Sequence, residues 1–149
     1  MRAYTVDGGI AVDLDPQVAA LVHRHVAALA AVEDGTPLLA ATAPVVSEDP
    51  LAAWEAEELA AQVAVRASQV IVGHARAVVD LMDGSRWRLP ADTAPRLVAV
   101  TSYMWGNGLA TPVGDGQGDG EQPWPTTEPV RMLFAALGAM VSAALMGAR

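Results

Sequence analysis

Two histidines set the first chemical question. His25 and His74 each fall within an apolar stripe at three- and four-residue spacing, so a helical reading turns both toward a core. A facing pair of imidazoles could hold a metal ion, shuttle a proton, or line a helical-bundle pocket for a small apolar ligand. Metal binding would want carboxylates or further histidines on the same faces. The Glu-x-x-His spacing of di-iron bundles is absent. A hydrogen-bonded histidine in the core or at an interface is therefore the stronger reading of each. His23 falls on the other side of its helix and is expected in solvent.

Other reactive patterns fail on one necessary residue each. Asp115-Gly116-Gln117-Gly118-Asp119-Gly120-Glu121 opens like a calcium loop, but its twelfth place is Thr126, where a bidentate glutamate is needed. A solvated acidic loop fits it better. Serine, histidine and aspartate all occur, yet no Gly-x-Ser-x-Gly elbow does, and no phosphate-binding glycine loop follows a strand. Glu55, Glu57 and Glu58 read as the charged start of a helix, not as paired carboxylates in a cleft. No catalytic, metal-binding or cofactor-binding residue is therefore expected.

Composition narrows the partners. The formal net charge is −8, and all nine basic residues are arginine. Phosphate neutralisation on nucleic acid is not expected from such a chain. Absent cysteine excludes disulfides, thiolate metal sites and a thiol nucleophile. The N-terminus carries no apolar run of the secretory kind, so a cytoplasmic location is the expectation. At 149 residues with 52% hydrophobic side chains, the chain suits one domain with its own core. The arginine-for-lysine and Ala/Gly/Val/Asp bias fits a high-GC genome, such as that of an actinobacterium or its phage.

The elements that would position these residues follow from punctuation and period. Ala3 to Val6 and Ile10 to Leu14 flank Asp7-Gly8-Gly9, which predicts an N-terminal β-hairpin. Asp15-Pro16 opens a first helix running to about Glu33, and residues 34–48 read as a linker. Asp49-Pro50 opens a second helix, whose stripe Leu59, Val63, Ala67, Val70, Ile71, His74, Val78 and Leu81 carries it to Asp83-Gly84. Gly73 inside it suggests a bend or a close crossing, because glycine there costs about 1 kcal/mol against alanine. Trp87-Arg88-Leu89 is a candidate third strand. A third helix follows, capped by Asp92 or Thr93 and stopped at Gly106-Asn107-Gly108. Residues 111–127 form an acidic Gly/Pro loop before a helix opening at Glu128-Pro129. The fold class is mainly α, in the α+β sense: about four bundled helices with a segregated hairpin.

The last of these helices has the strongest pattern. Met132 to Ala148 holds no ionisable side chain, so the helix must be covered by protein, a partner chain or lipid. Burial as the central helix of the bundle is the leading expectation. Ala135, Gly138, Ser142 and Ala143 offer small side chains where a second copy could approach closely. Its apolar length of about 25 Å falls short of the usual bilayer span, so membrane anchoring ranks last. Trp124, between Pro123 and Pro125, could dock a partner or a neighbouring subunit, or fold back as a lid.

The opening Met1-Arg2-Ala3-Tyr4 through Gly8-Gly9-Ile10 to Leu14-Asp15, with Trp87-Arg88-Leu89 ahead of a capped helix, resembles a small uncharacterised actinobacterial family. Genes of that family often lie near the one for the Clp protease adaptor. The chain departs from it at Ser102-Tyr103-Met104-Trp105-Gly106. The resemblance implies no activity and no site residues. The functional expectation is thus a non-enzymatic scaffold or regulatory protein that pairs with itself or with another protein. An enzyme or ligand-binding bundle using His25 and His74, and a structural protein of an actinophage virion, are the alternatives.

Overall fold

The hairpin shows how two adjacent glycines meet different demands. In the computed structural model, which describes residues 1–33, 48–107 and 127–147, β1 (Arg2–Val6) pairs antiparallel with β2 (Gly9–Asp13), Val6 opposite Gly9. Gly8 in the turn takes φ 82°, left-handed backbone that glycine adopts without steric cost. Gly9 is not in that region. A Cβ there would instead collide with the carbonyl of Leu89 on the neighbouring strand, so its bareness permits strand approach.

That neighbour is β3 (Arg86–Pro90), antiparallel to β2, which gives a three-stranded sheet in the order β1-β2-β3. Strand alternation sorts the faces. Ile10, Val12, Trp87 and Leu89 are buried, and Trp87 donates its indole N–H to the Gly84 carbonyl at 3.0 Å. On the other face Asp13 lies between Arg2 and Arg86, at 3.2 and 3.6 Å.

Four helices complete the described domain. In α1 (Pro16–Ala30), the Asp15 carboxylate accepts from the Gln17 N–H at 2.9 Å. In α2 (Pro50–Val79), Asp49 accepts from the Leu51 N–H at 3.1 Å. Each helix has proline at its first position, where no N–H is needed. Next come α3 (Ala94–Asn107) and α4 (Glu128–Gly147). Against one another, α1 packs on α2, α2 on α3, and α3 on α4, while α4 also covers β1 and β2. The core they share is centred on Trp87, Phe134, Leu29, Leu97, Met104 and Leu137. The architecture is mainly α with a segregated antiparallel sheet. The expected linker and acidic loop fall, but for Glu48 and Thr127, outside the described residues.

Four expectations are corrected. First, α1 stops at Ala30, short of Glu33, and Arg76 of α2 binds the chain at that end: Nε donates to Ala30 O at 2.9 Å and Nη2 to Val32 O, just past the helix, at 2.8 Å. A cation at this negative helix end also complements the dipole. Second, α2 runs unbroken through Gly73, with open space where a Cβ would stand, so none of the described residues makes a close crossing there. Third, the stripe on α2 is buried only in part. Val72, Ala75 and Val78 reach the core, while Leu59, Val63 and Val70 face solvent. Fourth, α4 is not the central helix. It buries Arg131, Phe134, Leu137 and Val141 on one stripe and exposes Met132 and Met146 on the outside.

Arg76→Met keeps the aliphatic stem and removes both donors. It should cost about 1 kcal/mol, the low end for charge-assisted hydrogen bonds because the group is exposed. Urea unfolding measures this, and an unchanged midpoint would remove Arg76 as the α1 cap.

Candidate functional site

The small residues of α4 meet α3 before they can meet anything else. Gly138 lies against Thr101: a Cβ on the glycine would stand 2.5 Å from Thr101 Oγ1. That hydroxyl is itself fixed, donating to the Val98 carbonyl at 2.8 Å. Ala135, Gly138 and Ser142 share a shallow groove of about 320 Å³ with Val98, Thr101 and Trp105 of α3. The close approach that glycine permits is thus used within the chain. Ala143, by contrast, is exposed. Trp124 falls outside the described residues.

The entrance of α4 is held by a buried cation. Arg131 forms a two-pronged pair with Glu128, Nε to Oε2 at 3.0 Å and Nη2 to Oε1 at 2.8 Å. Its guanidinium lies over the Trp105 ring, 4.2 Å from the centroid. Planar guanidinium suits both partners at once. The hydrogen bond from Arg131 holds the Glu128 carboxyl below the usual carboxylate range. Nothing reactive is exposed here, and the cluster joins α3 to α4. Among the described residues α4 is the one helix long and apolar enough to cross a membrane, and 22% of that stretch is buried.

The two stripe histidines engage different neighbours. His25 on α1 packs edge-on against Phe134 of α4, ring centroids 5.7 Å apart at 83°, as quadrupoles favour. His74 on α2 is half-buried. Burial first, and then the charge of Arg96, lower its pKa below the ordinary value. Neither lines any of the three main clefts. Among the described residues no group of three or more His, Cys, Asp or Glu could hold a metal ion.

Sequence spacing concealed one cleft altogether. His23, Asp83 and Ser85 share the lining of a depression of about 510 Å³ with Pro16, Ala19, Met82 and Gly84. The types are those of a hydrolytic triad, but no hydrogen bond joins the three, and His23 and Asp83 are exposed. A nucleophile needs its base within hydrogen-bond reach and the base needs an orienting partner.

Exposed large apolar side chains gather on the first part of α2. No residue from Pro50 to Ala67 is buried, although Leu51, Leu59 and Val63 are 63%, 61% and 60% exposed and Trp54 is exposed as well. Leu59, Val63, Ala67 and Val70, with Gln62 and Arg66, frame a groove of about 300 Å³ on this single helix. Composition foretold the stripe. What it could not foretell is that the body of the domain ends near Ser68.

No family model, curated protein or solved structure matches the chain.

Two predictions follow from these contacts. Helix propensity alone favours Gly138→Ala by about 1 kcal/mol, but overpacking against Thr101 should reverse the sign and give a net loss of about 1 kcal/mol. In a Thr101→Ala background the same change should be neutral or stabilising; equal losses in both backgrounds would contradict the crossing. For His74, the lowered pKa means the native state binds fewer protons than the unfolded chain. Stability is then fully present above the ordinary value of 6.5 and is lost as pH falls through the lower folded value. Urea midpoints taken at neutral and mildly acidic pH should therefore converge more in His74→Gln than in wild type. Parallel pH profiles would refute this.

Proposed function

We propose that this protein works by protein–protein association, as a self-associating scaffold or regulatory subunit, and not as a catalyst. One observation carries the reading. The half of α2 from Pro50 to Ala67 buries no side chain, yet it presents Leu51, Trp54, Leu59 and Val63 to solvent. Large apolar side chains spread over about half the circumference of a helical stretch that the other described residues leave unburied are costly to leave wet, and mark an interaction surface. It is also a costly shape to hold, because a helix in a protein gains most of its stability from packing and not from propensity.

Two further features support it. The outward face of α4 adds exposed Met132 and Met146, flexible apolar side chains that suit contact surfaces. The acidic net charge of −8 favours a protein partner over nucleic acid. The histidines serve packing in this reading: His25 against Phe134, and His74 as a half-buried residue of α2.

Light scattering on the purified protein, without detergent and across a range of concentrations, tests the proposal. A mass above that of one 15.4 kDa chain, falling toward it on dilution, is the expected result. A single-chain mass at every concentration would count against self-association.

A further inference from the structure

The exposed stripe on α2 has a finer pattern than simple amphipathicity, and it specifies how a second copy would lie. Ala52, Ala56, Leu59, Val63, Arg66 and Val70 follow one another in alternating steps of four and three, the spacing of a two-helix seam with mean period 3.5. All but Ala56 are exposed, and Ala56 is only half-buried. Glu55 and Gln62 flank this seam on one side, each immediately preceding one of its residues. Both are exposed.

We infer that α2 pairs with α2 of a second copy in antiparallel register, with the two-fold axis passing close to Gln62. This rests on the association reading above and names its partner and geometry. The argument is charge. In a parallel pair each seam residue faces its own copy, which would bring Arg66 against Arg66 and bury two like charges. In an antiparallel pair centred between Leu59 and Val63, Leu59 faces the partner's Val63, and Arg66 faces the partner's Ala56. The small Ala56 leaves room for the guanidinium to reach the partner's Glu55, which lies on the same flank. Two-fold symmetry repeats the Arg66–Glu55 pair at the other end. On that flank the two Gln62 amides meet near the axis, where each can donate to and accept from the other. The open space around Gly73 lies where the start of the partner's α2, at Asp49 and Pro50, arrives. A seam of this length is small among specific interfaces, so a reversible dimer with a dissociation constant on the order of micromolar is expected.

The chain has no cysteine, so single introduced thiols report geometry without background. Gln62→Cys should cross-link to a covalent dimer with a short bismaleimide, and Ala52→Cys should not, because antiparallel pairing holds the two copies of that residue about 27 Å apart along the axis. In parallel, the charge exchange is read by light scattering. Glu55→Arg and Arg66→Glu should each weaken the dimer about tenfold, and the double variant should recover most of the loss. Cross-linking at both positions would overturn the antiparallel register in favour of a parallel pair. A dimer whose mass is insensitive to Val63→Asp and which cross-links at neither position would overturn this seam while leaving the association reading standing. A monomer at all concentrations would overturn both.

Discussion

The governing constraint is a mismatch of lengths. A helix of thirty residues extends about 45 Å, and the rest of the described domain buries side chains only from Ser68 to its end. From Ser68 onward α2 is built as a core helix should be, with Val72, Ala75 and Val78 inward and Arg76 reaching across to close α1. Before Ser68 the same apolar period continues without a fully buried residue, and Leu51, Trp54, Leu59 and Val63 stay exposed. Either surface of that sort is covered in the working state of the protein, or the helix frays, since local propensity alone stabilises it only marginally. The functional reading and the pairing geometry both descend from this one imbalance.

Elsewhere the domain solves its packing with small residues and few anchors. One phenylalanine serves the whole chain. Phe134 is fully buried and takes the edge of His25 across the bundle. Gly138 lets α4 approach α3 until its Cα side meets Thr101. At the start of α4, Arg131 stacks on Trp105 while pairing with Glu128, so a buried charge has its partners satisfied instead of standing as a desolvation cost. These contacts tie α4 to α3 and the hairpin and leave its outer side apolar and wet.

Elements with local punctuation were legible in the sequence. Asp15-Pro16 and Asp49-Pro50 cap helices as their chemistry requires, Gly8 turns the hairpin, and Trp87 and Leu89 alternate into the sheet. What stayed hidden depends on tertiary cover. Alanine and valine line both the inner and outer sides of α2 and α4, so composition does not distinguish a buried stripe from an exposed one. An all-round apolar helix read as central lies at the side. The end of α1 is bound by a guanidinium on another helix, and Gly138 meets a threonine on α3; neither partner is near in sequence. The histidines looked like a pair only because each sits on a stripe. In the fold one meets Phe134, while the other is half-buried and feels the charge of Arg96.

Amide hydrogen exchange across residues 50–67, compared at dilute and concentrated protein, tests the central claim most directly. Exchange there should be fast at dilution, where an uncovered helix opens locally, and should slow by orders of magnitude as concentration rises, while Val72 to Val78 stay protected throughout. Protection of residues 50–67 that is the same at every concentration would mean that the face is covered from within its own chain, or by nothing, and would contradict the account.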